Sequence, residues 1–219
     1  VGGIAGANHP AMPADPQHPV HIDIVPRQHL GPGAAAAARL RSQQMRHQWN
    51  RFFAFLLRDA AIVTAVAALW ACTLKLGPAH DFKTGAVHVL TGLSTVFVGY
   101  LFHEWGHLLG AWSARGHFEL PRTVMETLFL FRFDNVRNTR KQFVAMTLGG
   151  FASSVLVVAA MLVLLPWGLL ATYVALGLTA AGVAATFIIE VPEFLGVVRG
   201  GPMPHGAAFI SDGGPPRAQ

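Results

Sequence analysis

Four long apolar stretches constrain the fold of this chain more than any other feature of its sequence. Hydropathy places them at about residues 60–76, 86–112, 143–165 and 167–189. About 20 apolar residues in a helix cross the ~30 Å hydrocarbon core of a bilayer. Because lipid cannot hydrogen-bond an exposed backbone, each stretch is predicted to be a transmembrane helix. The sequence therefore predicts an all-α membrane protein with about four spans.

The composition agrees with this fold class. Of the 219 residues, 53% are hydrophobic and only 12% are charged, whereas a soluble domain carries about 25% charged residues. The only cysteine of the chain is Cys72, which lies in an apolar stretch. A secreted domain that is stabilised by disulfides is therefore excluded.

The basic residues predict the orientation of the spans. All but two of the 16 lysines and arginines precede the first span, lie between the second and third, or follow the fourth; the exceptions are Lys75 and Lys83. The positive-inside rule makes the basic side cytoplasmic. We therefore expect an integral protein of a bacterial inner membrane with both termini in the cytoplasm. No nucleic-acid-binding motif accompanies the net charge of +5, so no nucleic-acid partner is expected.

The segments outside the spans predict the remaining organisation. Residues 1–33 are rich in Pro, Gly and Ala and are expected to be a disordered tail, and residues 202–219 are expected to be a C-terminal tail. Residues 34–59 are basic and helix-prone, which is typical either of a helix on the cytoplasmic membrane surface or of one that leads into the first span. Residues 60–201 then form the transmembrane domain.

A chemical motif lies inside the second span, where the sequence reads HEWGH. At 100° per residue, His103 and His107 are about 40° apart on one helical face and can hold one zinc ion together. Glu104 lies about 60° from His107, where it can act as a general base on a zinc-bound water and then as an acid to the leaving amine. The structural alternative is a pair of histidines that are hydrogen-bonded in a helix interface without metal.

This motif, near the cytoplasmic end of a transmembrane helix, resembles the site-2 protease family of intramembrane zinc metalloproteases over about residues 86–201. The resemblance implies three core helices, a zinc cofactor, and cleavage of a transmembrane or membrane-adjacent segment of a membrane-protein substrate. Residues 149–153, Gly-Gly-Phe-Ala-Ser, are similar to the Gly-Pro-x-x-Asn stretch of the family. That similarity implies a substrate-orienting role for Ser153. The alternative is a set of small residues that serve helix packing.

A catalytic zinc usually has three protein ligands and one position for water. The family uses an aspartate on its third core helix, whereas the stretch FIIEVPEFLGVVRGG here offers Glu190 and Glu193. We expect Glu193 to be the third ligand, because it follows Pro192 and a proline can open the helix. Glu190 is the alternative, and Asp212, a tail histidine such as His205, or the absence of a third protein ligand also stay open.

A small β-element is expected between the second and third spans. Residues 123–133 are β-branched and aromatic, which predicts a strand pair on the cytoplasmic side. An exposed strand edge can bind an extended peptide by β-addition, and the family has such a sheet beside its active site. The alternative is a loop that rests on the membrane.

The sequence thus predicts an intramembrane zinc metallopeptidase, and three other functions stay open. The first is an HExxH membrane protease of the class that processes prenylated proteins and uses a glutamate as third ligand. The second is a non-proteolytic zinc-binding homologue with a regulatory or scaffold role. The third is a membrane scaffold without metal.

Overall fold

The computed structural model describes residues 32–123 and 129–211, with side chains described from residue 47 onward. The elements, in chain order, are α1 Pro32–Leu76, α2 Phe82–Ser113, β1 Phe118–Glu119, β2 Arg132–Asp134, α3 Arg140–Leu164, α4 Leu170–Val198 and β3 Phe209–Ile210. The chain divides into two units, residues 1–40 and 41–219. Residues 32–40 of the first unit are helical. Most of the expected N-terminal tail lies outside the described residues.

In the part of the chain that the structure describes, four helices are long and apolar enough to cross a membrane, in the segments His47–Leu76, Phe82–Ser113, Arg140–Leu164 and Leu170–Val198. The predicted fold class, an all-α membrane protein with four spans, is confirmed. The helices extend beyond the predicted limits of the spans because polar residues at their ends stay helical. α1 in particular is continuous from Pro32 to Leu76, so the segment 34–59 and the first span belong to one helix.

Capping side chains fix where the second and third spans begin. At the start of α2, Asp81 Oδ1 accepts a hydrogen bond from the Thr84 backbone N–H at 2.8 Å, and the Thr84 hydroxyl accepts one from the Asp81 N–H at 3.2 Å. Thr139 and Gln142 form the same reciprocal arrangement at the start of α3. Such boxes satisfy backbone N–H groups that a helix leaves unpaired. They therefore determine the first residue of each span.

Glycines bring α2 and α3 into close contact. A Cβ atom at Gly106 would overlap the Gly149 carbonyl oxygen, and one at Gly110 would overlap the Ala145 carbonyl oxygen. Gly106 and Gly110 are four residues apart, so they lie on one face of α2 and let the two backbones touch. The backbone of α3 consequently lies against the face of α2 that carries His107.

α1 contacts α2 through polar side chains at matched depths. The Thr73 and Thr91 hydroxyl oxygens are 2.8 Å apart, and Trp70 Nε1 donates to Thr95 Oγ1 at 2.9 Å. As the residue number falls along α1 it rises along α2, so these bonds define an antiparallel register. Hydrogen bonds of this kind in a membrane contribute about 0.6–2 kcal/mol each.

A three-stranded sheet follows α2 and confirms the predicted β-element. β1 pairs antiparallel with β2, with Phe118 opposite Phe133, and β2 pairs in parallel with β3, with Phe133 opposite Phe209. A strand pair is expected within residues 123–133, of which 124–128 lie outside the described residues. The partners of β2 come instead from β1 and from the expected C-terminal tail. The reason is that Phe133 is buried in a core formed with Leu108 and Phe143, which positions β2 at the end of the helices.

Candidate metal centre

His103 and His107 lie side by side on α2, one helical turn apart. Their Nε2 atoms are 3.0 Å apart, and their rings are nearly perpendicular, with centroids 4.5 Å apart. Both histidines are expected from the sequence to be metal ligands, and the structure directs the same ring nitrogen of each to one point.

Three groups on α3 orient the two imidazole rings by contacting the Nδ1 atom of each ring. His103 Nδ1 is 2.7 Å from Ser154 Oγ and 3.2 Å from the Gly150 carbonyl oxygen, and His107 Nδ1 is 3.1 Å from the Met146 carbonyl oxygen. A carbonyl oxygen can only accept, so each Nδ1 carries the proton and donates it. The lone pair of each Nε2 is then available to a metal ion, which is the usual arrangement for a ligating histidine.

Gly150 is required for the position of His107. A Cβ atom at Gly150 would overlap the Nε2, Cε1 and Nδ1 atoms of the His107 ring. A residue with a Cβ atom at this position would therefore displace the ring.

Glu190 of α4 completes a group of three potential ligands. Its Oε1 is 3.7 Å from His103 Nε2, and its Oε2 is 3.8 Å from His107 Nε2. One ligand atom from each of the three residues can be chosen so that all lie within 4.8 Å of one another. The Glu190 side chain is about one-third exposed. α2 and α4 run in the same direction, so both deliver their ligands near their C-terminal ends.

The three groups could together hold one metal ion. With Zn–N and Zn–O distances of about 2.0–2.2 Å, two tetrahedral ligand atoms lie about 3.3–3.5 Å apart. The two histidine nitrogens are slightly closer than this, at 3.0 Å, and the two glutamate distances of 3.7 and 3.8 Å, which involve different oxygens of Glu190, are slightly longer. Two histidines and one glutamate also match the ligand set of known catalytic zinc sites, which leave a fourth position open.

The structure brings the alternative glutamate, Glu190, to the histidines and not the preferred one, Glu193. α4 continues as a helix through Pro192, so this proline does not open the chain as expected. Glu193 is exposed and is not part of the ligand group. His205 is also exposed and outside the group. Asp212 lies outside the described residues.

Glu104 is adjacent to the metal ligands but is not one of them. Its side chain is buried, with 7% of the residue exposed. Its Oε2 accepts a hydrogen bond from the Leu130 backbone N–H at 3.1 Å. Leu130 is itself buried and lies two residues before β2. The β-element is thus in direct contact with the predicted general base.

The two serines on α3 contact different parts of α2. The Ser153 hydroxyl donates to the Phe102 carbonyl oxygen at 2.6 Å, so it joins α3 to α2, which agrees with the alternative of a helix-packing role. The Ser154 hydroxyl contacts His103 Nδ1, a contact that the sequence analysis did not predict. The one available signal is spacing: Met146, Gly150 and Ser154 are four residues apart and share a face of α3.

Comparisons with protein-family models, with curated proteins and with solved structures found no match to this chain. Its function must therefore be inferred from the chemistry of the site itself: two histidines and a glutamate around one point, with a second glutamate beside them.

Proposed function

We propose that this chain is an intramembrane zinc metallopeptidase, similar to the site-2 proteases, that cleaves a transmembrane or membrane-adjacent segment of a membrane protein. The observation that carries the proposal is the meeting of His103 and His107 from α2 with Glu190 from α4. Ionisable side chains inside spans are expensive and usually functional. A group of three that also fits the zinc ligand set is best explained by a metal.

The residues of the site then have distinct roles. His103, His107 and Glu190 would hold zinc, which when bound acts as a Lewis acid towards a water molecule and the scissile carbonyl. Glu104 would accept the proton of that water at its carboxylate and return it to the leaving amine. The Leu130 backbone N–H donates a hydrogen bond to Oε2 of this carboxylate and so helps to hold it in place.

The sheet supports a peptidase function because an extended chain is needed at the site. A substrate helix uses its amides in internal hydrogen bonds, so it must unwind before its carbonyl can react. β1 is an outer strand of the sheet, and Leu130, two residues before β2, donates to Glu104. An unwound segment could pair with such an edge and be held in extended form beside the metal centre.

The membrane setting of the proposal rests on the basic residues. Arg140 at the start of α3 donates to the Gly200 and Gly201 carbonyl oxygens after α4, which agrees with these two helix ends lying on one side of the bilayer. We propose that this side is the cytoplasm of a bacterial cell, and that the partners of the chain are the lipid bilayer and a membrane-protein substrate.

Two specific features favour a second function. The general base is buried under Leu130, and the hydroxyl of Ser153 is used in a helix contact rather than facing the metal centre. Both features suit a non-proteolytic homologue that keeps zinc in a regulatory or scaffold role. This alternative predicts zinc binding without peptide cleavage.

Metal content and cleavage together test the proposal. The wild-type protein, purified in detergent, is expected to hold one zinc per chain and to cleave fluorescently labelled unfolded casein. Glu104→Gln should keep the zinc and lose cleavage by about 10²-fold or more, because it cannot move a proton. His107→Ala should lose both. Equal zinc content in wild type and His107→Ala would refute the site, and zinc without cleavage in the wild type would favour the second function.

A further inference from the structure

A buried carboxylate on α1 contacts the tryptophan of the HEWGH motif. Asp59 is only 5% exposed, and its Oδ2 accepts a hydrogen bond from Trp105 Nε1 at 2.8 Å. Its Oδ1 accepts a hydrogen bond from Arg58 Nε at 2.7 Å. Burying a carboxylate is costly unless its oxygens are hydrogen-bonded. Here one oxygen is satisfied within α1 and the other by α2.

Trp105 lies on the opposite side of α2 from the metal ligands. At 100° per residue it is about 160° from both His103 and His107. Its ring also meets the Phe52 ring of α1 edge to face, with centroids 5.4 Å apart. α2 is therefore held on one side by α1 and on the other by the α3 carbonyl groups that orient the histidines.

The rotation of α2 about its axis controls where the two ligand nitrogens lie. A side-chain atom about 6 Å from a helix axis moves about 1 Å when the helix rotates by 10°. A metal site requires its ligands to be placed within about 0.5 Å. The hydrogen bond of Trp105 to Asp59, on the face of α2 opposite the metal ligands, thus directly affects the positions of the His103 and His107 ligand nitrogens.

We propose that Asp59 is a positioning residue for the metal centre: through its hydrogen bond to Trp105 it fixes the rotation of α2 and so the positions of His103 and His107. This inference rests on the proposed function, since it takes the centre to bind zinc. It assigns to α1 a role in the site, although α1 supplies no ligand.

The main competing role for Asp59 is simple attachment of α1 to α2. The hydrogen bond between Thr73 and Thr91 provides a matched control, because it joins the same two helices at 2.8 Å. Thr91 lies 12 residues before His103, or about 18 Å along the helix. Loss of this bond should weaken the attachment of α1 without reaching the metal centre.

The experiment measures zinc affinity by competition with a chromogenic chelator, and the visible absorption of bound Co²⁺ as a report on ligand geometry. Asp59→Ala is expected to bind zinc about tenfold more weakly and to change the Co²⁺ spectrum, as loss of an outer-shell contact does. Asp59→Asn should restore both properties, because its amide oxygen still accepts from Trp105. Thr73→Val should lower thermal stability and leave zinc affinity within about twofold of wild type.

Trp105→Phe removes the donor of the same hydrogen bond, whereas Asp59→Ala removes its acceptor. This variant provides the test if Asp59→Ala does not fold. It keeps an aromatic ring and removes only the N–H donor. The same tenfold loss is expected, and the double variant should bind zinc no more weakly than either single variant.

Two results would overturn the inference in distinguishable ways. If wild type binds zinc and both Asp59→Ala and Trp105→Phe bind it equally well, Asp59 does not position the centre and the proposed function stands. If Thr73→Val loses as much zinc affinity as Asp59→Ala, the effect arises from the attachment of α1 to α2 and not from positioning of the metal centre, which also overturns the inference. If wild type itself binds neither zinc nor Co²⁺, the proposed function fails and this inference fails with it.

Discussion

His103 Nε2 lies 3.0 Å from His107 Nε2, while the Nδ1 atom of each ring is committed to a carbonyl oxygen of α3. The two Nε2 atoms are at hydrogen-bonding distance, so they can share one proton, and a metal ion can take the place of that proton. The α3 carbonyl groups prevent the rings from turning away without losing their hydrogen bonds. The centre therefore holds two ligand nitrogens in position for a cation.

Zinc should for this reason stabilise the folded protein. At a free zinc concentration about 1,000 times the Kd, binding to the folded state alone adds about 4 kcal/mol to the free energy of unfolding. Thermal unfolding in detergent should shift upward on addition of zinc and downward on addition of a chelator. His107→Ala should show neither shift. The same response in wild type and His107→Ala would mean that zinc binds elsewhere.

The two glutamates at the end of α4 should differ sharply in their effect on zinc. Glu190 lies within 3.8 Å of both histidine Nε2 atoms, whereas Glu193 is exposed. Glu190→Ala is expected to lose zinc affinity by at least 10²-fold, since it removes a ligand of the ion. Glu193→Ala is the matched control and should bind zinc as wild type does.

Two other outcomes for Glu190→Ala and Glu193→Ala would contradict the assignment of Glu190 as the third ligand. Zinc loss in Glu193→Ala alone would move the ligand one helical turn along α4 and restore the expectation drawn from the sequence. Zinc retention in both variants would place the third ligand outside α4.

The sequence predicts the parts of this protein that depend on regular spacing. Apolar length predicts the four spans, and the four-residue step between His103 and His107 predicts their common face. Regular spacing does not predict the long-range contacts that orient the ligands. The Met146 and Gly150 carbonyl groups carry no side-chain signal, and the buried Asp59 lies one residue before the predicted start of the first span. The choice between Glu190 and Glu193 depends on Pro192, because a proline within a helix can either break it or, as here, be accommodated.

Membrane topology can be tested with single cysteines placed in exposed positions. After replacement of Cys72 by serine, cysteine at Lys83 should react with an impermeant thiol reagent added outside the cell. Cysteines at His117 and His205 should react only after the membrane is opened, because the positive-inside rule places them in the cytoplasm. All three positions are exposed. External labelling at His117 would reverse the proposed orientation.

The Asp81 cap should make the stability of the protein depend on pH in the acid range. The Thr84 backbone N–H, followed by the Thr84 hydroxyl, lowers the pKa of Asp81 below its ordinary value of 3.8. Because the folded state has the lower pKa, the stabilisation is present above the unfolded value and is lost as the pH falls through the folded value. Asp81→Ala should therefore unfold at a lower temperature than wild type at pH 6, with a smaller difference near pH 3.

Asp81→Asn provides the control for this cap. Asparagine still accepts the hydrogen bond from Thr84 but does not titrate, and it caps helices about as well as aspartate. It should resemble wild type at pH 6 and show no cap-dependent change on acidification. An Asp81→Ala difference that is constant from pH 6 to pH 3 would contradict the assignment.

A methyl group at Gly150 should disrupt the metal centre. The Cβ atom of Gly150→Ala would occupy the space of the His107 ring, so the ring must move and lose its Nδ1 hydrogen bond to the Met146 carbonyl oxygen or its alignment with His103. Overpacking of this kind destabilises a protein by about 1–3 kcal/mol. Zinc affinity should also fall, by about tenfold or more, because a displaced Nε2 atom cannot share an ion with its neighbour.

Gly177→Ala is the matched control, since Gly177 also lies inside a span but no atom is within 4 Å of its added Cβ. Alanine has the higher helix propensity by about 1 kcal/mol, so this variant should be as stable as wild type or slightly more so. Its zinc affinity should be unchanged. The measurements are thermal unfolding with and without zinc and chelator competition on both variants. If Gly150→Ala binds zinc as tightly as Gly177→Ala, the His107 ring does not need the space that Gly150 leaves, and the geometry proposed for the centre is wrong at that residue.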